Sequence, residues 1–225
     1  MLLTAIAVMF TVAGLQAQTG RAWSQHDEAV ARDTVRSIDR YFTPATKAVK
    51  APDEEGFIQR WLLLEPIETA VRSNTIFTDS YLRNAFPRDG ETVKVGGRDL
   101  TWHALDSKLF NVKLFRFAYG LHKPVYGVLF WAVTVINSPV EIKNVRLSAG
   151  SNSASMWWLN GEEALLLSGD RRMVMDDGLS HRLTLKKGRN ILRGAVINGP
   201  GMSDFCIRFL DEQGEPVKNI QISCE

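Results

Sequence analysis

The residues best suited to chemistry in this sequence gather in SAGSNSASMWWLNGEEALLLSGDRR, residues 148–172, where Trp157 and Trp158 stand side by side ahead of Asn160-Gly161. An indole face packs well against the axial C–H groups of a sugar ring. Asp170, Arg171 and Arg172 farther along supply the bidentate donors and acceptors that sugar hydroxyls engage. Asn160-Gly161 signals a two-residue hairpin, because a type I′ turn takes positive φ at both central residues. The strand before it alternates, so Met156 and Trp158 share one face while Trp157 and Leu159 share the other. The two rings therefore cannot form one platform: one is inside, and the other is open to a ligand role. Trp102, in TWHALDS, is a second aromatic candidate.

Other chemistries leave fainter traces. His103 and Asp106 are half of a hydrolase triad that a distant serine would complete. The chain contains no G-x-S-x-G nucleophile elbow, however. Neither HExxH nor paired CxxC occurs, and His26, His103, His122 and His181 are isolated from one another, so no local zinc motif exists. The carboxylate pairs Glu162-Glu163, Asp176-Asp177 and Glu54-Glu55 read as turn or surface groups, since neighbouring residues on a strand point to opposite faces. Asp176-Asp177-Gly178 is oxygen-rich enough to suggest Ca²⁺, but it lacks the other ligands of a local loop motif.

The elements that must position these groups are mostly strands. From residue 57 onward, short apolar or alternating runs rich in Val, Ile, Leu and aromatics are separated by Gly96-Gly97, Asn160-Gly161, Asp177-Gly178, Lys187-Gly188 and Gln213-Gly214. Many short strands without regular strand–helix alternation predict a mainly β fold, an antiparallel β-sandwich. Residues 125–136 are apolar on both alternating faces, as a central strand covered on its outer side would be. Ahead of the sandwich, residues 24–49 carry Val30, Val35, Ile38 and Phe42 at helix-like spacing and are broken by Pro44. One or two short helices are expected over residues 68–86, with Thr78 an N-cap. The domain boundary is expected near residue 55, which makes residues 19–55 a helical extension and linker and residues 56–225 the sandwich.

Composition narrows the class. The 225 residues carry 45% hydrophobic and 23% charged residues, ordinary values for one folded domain with an appendage. Lys plus Arg number 27 against 25 Asp plus Glu, with the basic residues scattered in pairs, so no nucleic-acid footprint exists. The apolar run over residues 2–15 falls short of the ~20 residues that span a bilayer. Followed by Leu15-Gln16-Ala17, it reads as a signal peptide over residues 1–18, which predicts export to the periplasm, cell surface or exterior and no transmembrane helix. In an exported protein Cys206 and Cys224 are either a disulfide or two free thiols.

The order FIQRWLLLEPI, YGVLFWAVTVIN, VRLSAGSNSASMWWLNGEEAL, HRLTLKKGRNILRGAV and MSDFCIRFLDEQGEPV resembles galactose-binding-domain-like jelly rolls. Such modules accompany secreted bacterial polysaccharide-degrading enzymes, acetylxylan-esterase-like proteins among them. The resemblance covers residues 57–222. It rests on Trp158-Leu159-Asn160-Gly161, on the L-x-x-G-x-N-x-L of residues 185–192, and on Phe205, Arg208, Asp211 and Gly214. The chain departs from the pattern at Ser203, where an aromatic is usual, and at Asn152-Ser153, where the family carries an acidic pair.

The resemblance implies a non-catalytic module that binds polysaccharide or oligosaccharide, or supports a hydrolase partner. Trp158 matches the family's structural tryptophan, which leaves Trp157, with Trp102, Asp170, Arg171 and Arg172, as the expected ligand-binding set. No catalytic or metal residue is assigned. The rival readings are a carbohydrate esterase built on His103 and Asp106, and a structural cell-envelope interaction protein.

Overall fold

Alternating and wholly apolar runs both find places in the computed structural model, which describes residues 36–68, 86–199 and 201–225. Among these the strands are β1 (Phe42–Pro44), β2 (Arg60–Leu64), β3 (Ile67–Glu68), β4 (Thr92–Val95), β5 (Arg98–Ser107), β6 (Val128–Ser138), β7 (Ile142–Ser151), β8 (Ser155–Leu159), β9 (Glu162–Leu167), β10 (Gly178–Leu179), β11 (Leu183–Leu185), β12 (Gly188–Asn198), β13 (Phe205–Leu210) and β14 (Gln221–Ser223). One helix, α1 (Leu114–Gly120), interrupts them. The strands form two antiparallel sheets. The larger runs β1-β5-β2-β6-β12-β8-β9, with β14 and β3 also on β6 and β4 also on β5. The smaller places β10, β11 and β13 around β7.

Strand parity sorts the core into two layers. Inward residues of the larger sheet, such as Trp61, Phe130 and Trp157, join Leu147, Phe205 and Ile207 of the smaller sheet in one cluster. The outer face of the larger sheet is apolar as well: Leu62, Leu64, Trp102, Leu129, Trp131 and Val133 form a second cluster, flanked by Phe86, Val93 and Val95. This two-sided burial explains the apolar sequence of β6, which is buried at every position from Val128 to Ile136.

Asn160 and Gly161 have φ of 54° and 87°, and they turn β8 into β9 as the Asn-Gly pair predicts. The helix expected over residues 24–49 is not what residues 42–44 form. Phe42 pairs with Ser107 and Pro44 with Leu105, so this segment is an edge strand, and the Phe42 side chain is buried against Phe117. Pro44 lacks an N–H, which an edge strand tolerates and a helix interior does not. The compact unit accordingly begins at Ser37, ahead of the expected boundary near residue 55. Residues 1–35 and 69–85, with the signal segment, His26, Val30, Val35 and Thr78, lie outside the described residues. The helix α1 had no sequence expectation. It is short, buries Leu114, Phe115, Phe117 and Ala118, and has neither an acidic first turn nor a side-chain cap to announce it. Among the described residues no helix is long and apolar enough to cross a membrane.

Candidate functional site

The two tryptophans do lie on opposite faces, but their expected roles are exchanged. Trp157 is 0% exposed and fills the space between the sheets, its ring 5.9 Å from Trp61 and 5.1 Å from Phe205. Its Nε1 donates to Ser155 Oγ at 3.1 Å, and Ser155 Oγ in turn lies 2.8 Å from Ser151 Oγ, so the indole's one polar group is satisfied internally. No face of Trp157 is left for a ligand. Trp158, expected in the core, is partly exposed on the outer face and stacks on Trp131 at 5.5 Å and 22°. Small Ala195 of β12 pairs with Trp131 on one side and Met156 on the other, which leaves room above it for the two rings to meet. Trp102 is 3% exposed. The segment before β4 closes over it, with Gly90 N donating to Trp102 O and Trp102 N to Glu91 O, both at 2.9 Å. Trp157 is enclosed on the inner face and Trp102 is covered on the outer one, so neither expected aromatic is available.

The polar half of the expected set lies in the loop from β9 to β10, away from Trp102. Asp170 and Arg172 are exposed there. Arg171 donates from Nε to Asp177 Oδ2 at 2.8 Å and from Nη1 to Ser168 O at 3.2 Å. Asp176 accepts from Arg208 Nε at 2.9 Å and from Ser148 Oγ. Burial works to raise its pKa, but the bonds from Arg208 and Ser148 outweigh it and hold the carboxyl below its usual range. Both carboxylates of Asp176-Asp177-Gly178 are thus engaged by guanidinium groups, and this donor set does not fit Ca²⁺. The pair Cys206 and Cys224 is not bonded. Cys206 sits in β13 and Cys224 follows β14 of the other sheet, and burial pushes both thiols up to about 12.

His103 and Asp106 project from opposite faces of β5, three residues apart. Asp106 meets Arg60 twice, Oδ1 at 2.8 Å from Nε and Oδ2 at 2.9 Å from Nη2. Arg60 also donates to the carbonyl of Ala48. His103 Nε2 is 3.5 Å from Glu65 Oε1, and its ring packs edge-on against Phe117. Glu65 is held by Lys123 Nζ at 3.0 Å and by the Thr101 N–H at 3.3 Å. Two structural ion-pair clusters stand where a catalytic dyad was weighed.

A polar space among the described residues lies elsewhere. A pocket of about 640 Å³ opens beside the outer face of the larger sheet, lined by Lys47, Phe86, Arg88, Asp89, Ala104 and Arg189 among others. That volume falls within the ~300–1,000 Å³ of small-ligand sites. Each element brings one part. The chain after β1 supplies Lys47, β5 supplies Ala104, the first turn of β12 supplies Arg189, and the segment ahead of β4 supplies Phe86, Arg88 and Asp89. The Arg189 guanidinium lies 4.3 Å over the Phe86 ring. Asp89 Oδ1 accepts the Ala104 N–H at 2.7 Å, which anchors the Phe86–Asp89 segment to the sheet edge. Sequence reasoning did not identify these residues. One signal was present: Arg189 and Arg193 fall on the same face of a strand that otherwise reads as apolar.

The motifs that carried the family resemblance are structural here. The Asn160 side chain bonds Asn190 Oδ1 at 3.0 Å and the Ile191 N–H at 2.9 Å. Buried Asn190 closes the 186–190 turn through Lys186. Asp211 Oδ1 caps the turn over Gln213 and Glu215.

No known family model matches the chain, and no curated protein matches it. Among solved structures, it is similar to the β-glucosidase of Kluyveromyces marxianus in complex with glucose, with TM-score 0.41 and 15% identity over 70% of this chain. A second likeness is the GH31 α-xylosidase of Xanthomonas citri, with TM-score 0.31 and 6% identity over 80% of this chain. These are distant likenesses of a mainly antiparallel β domain, and this chain spans only 16% and 19% of the two enzymes.

Proposed function

We propose that this chain is an exported, non-catalytic carbohydrate-binding module, accessory to polysaccharide degradation and related to the galactose-binding-domain-like jelly rolls it resembles. The observation that carries the reading is the pocket beside Phe86, which combines an aromatic ring, two guanidinium groups and two carboxylates around a space of about 640 Å³. Sugars are recognised by that combination: C–H groups pack on the ring, and hydroxyls are bridged by planar bidentate groups. Trp158, partly exposed on the same face of the sheet, extends the surface toward β9. The set Trp157, Trp102, Asp170, Arg171 and Arg172 is replaced by Phe86, Arg88, Asp89 and Arg189, because the two tryptophans are covered and the loop residues lie at the opposite edge of the larger sheet.

The test is affinity electrophoresis of the full chain through gels containing neutral and acidic polysaccharides, with Phe86→Ala and Arg189→Ala beside the wild type. At least one polysaccharide is expected to retard the protein, and each substitution to abolish most of that retardation. Free migration in every gel, or retardation unchanged in both variants, refutes the reading.

A further inference from the structure

We infer that the saccharide this pocket takes is acidic, a chain whose sugar rings carry carboxylates. The inference rests on the carbohydrate reading above and specifies its substrate class. Lys47, Arg88 and Arg189 line the pocket, and none of the three makes an ion pair among the described residues. Two carboxylates, Asp89 and Glu225, also line it. Asp89 is already committed to the Ala104 N–H, and Glu91, in the adjoining cleft, is committed to the backbone N–H of Arg88. Glu225 is exposed at the rim, and the three cationic side chains outnumber the two lining carboxylates without forming an ion pair to either.

Arg189 is the best placed of them. Its guanidinium lies 4.3 Å over the Phe86 ring and makes no ion pair among the described residues, and a planar guanidinium so held is suited to take a carboxylate bidentately. Along β12, Arg193 follows on the same face, roughly 13 Å away at strand rise. Burial and the charge of Arg189 both hold the Arg193 pKa below its ordinary value. An anion seated beside Arg189 offsets that repulsion, whereas a neutral sugar does not.

The experiment is isothermal titration of the full chain with three probes of equal length: an oligomer of galacturonic acid, its methyl ester, and a neutral oligogalactose. The acidic oligomer is expected to bind at least about tenfold more tightly than its ester, the usual scale for a charge-assisted hydrogen bond. Raising the salt is expected to weaken it. In Arg88→Gln/Arg189→Gln, the affinity for acid is expected to fall to that for ester. Equal binding of ester and acid overturns the charge inference while leaving the carbohydrate reading intact. Acid binding that the double variant does not weaken removes the site from this pocket, and no binding of any probe refutes inference and reading together. The ester and salt comparisons use wild type alone, so they decide the question even if the variant folds poorly.

Discussion

Replacing Gly194 by alanine tests the placement of Trp157 most directly. Gly194 lies opposite Trp157 across the β12–β8 pair, and its missing side chain is the space the indole occupies. A Cβ there would meet Trp157 Cη2 at 2.6 Å, with Cζ3 and Cε3 closer still. The ring has nowhere to retreat: Trp61 and Phe205 hold it edge-on and tilted, and Ser155 holds its Nε1. Overpacking a tight core costs ~1–3 kcal/mol, and each aromatic pair disturbed adds ~0.5–1.5 kcal/mol. The expected loss is therefore about 3–4 kcal/mol, a large share of the ~5–15 kcal/mol that stabilises a typical protein. For a chain of this size the melting temperature should fall by about 6–16 °C. Urea unfolding followed by tryptophan fluorescence measures the loss, and near-UV circular dichroism reports the displaced ring. Because the clash is specific to the indole, Gly194→Ala/Trp157→Leu should be more stable than the two separate losses added together. A Gly194→Ala protein that melts within about 1 °C of wild type, or a strictly additive double variant, refutes the assignment of Trp157 to this slot.

Two further outcomes follow from the ion pairs. Arg60→Met takes from the part-buried Asp106 its bidentate partner, leaving Lys50 at 3.9 Å, and should cost ~1–3 kcal/mol, whereas Arg60→Met/Asp106→Leu should recover most of it; urea midpoints distinguish the two. Asp176 titrates below its ordinary value in the folded chain. Its contribution is therefore complete above the unfolded pKa near ~3.9 and is lost as pH falls through the lower folded value. Arg208→Ala should reduce the loss of stability on acidification across that window, seen as a flatter dependence of the urea midpoint on pH.

The fold was legible where one residue type has one structural use. Asn160-Gly161 requires positive φ, and the continuous apolar run of β6 requires cover on both sides, so hairpin and central strand could be read from the chain. Strand parity also separated Trp157 from Trp158 correctly. What parity lacks is sign: it says that two rings face opposite ways, not which way is inward. That choice was made by residues far along the chain, by Gly194 clearing space on one face and by Ala195 admitting the Trp131–Trp158 stack on the other. The β1 strand was hidden for a related reason. Ile38 and Phe42 have helical spacing, yet the free edge of β5 offers Phe42–Pro44 backbone partners that local periodicity cannot register.

The candidate site escaped sequence reading because its parts come from five segments and none of them is a motif. A sheet buried on both faces has little surface to offer a ligand except at the margins of its outer cover. The pocket lies at such a margin, where the segment ahead of β4 meets the ends of β12 and β14. There the strand parity that buries Ala195 and partly buries Ile191 also brings Arg189 to the rim, and a charged residue at the end of an apolar stripe can be solvated and still face the sheet. Aromatic pairs drew the eye to β8, but packing two tryptophans against neighbours of complementary size consumes their faces. By the same logic, a binding residue in this architecture is better sought where an outward strand position turns from apolar to charged than where its largest rings stand together.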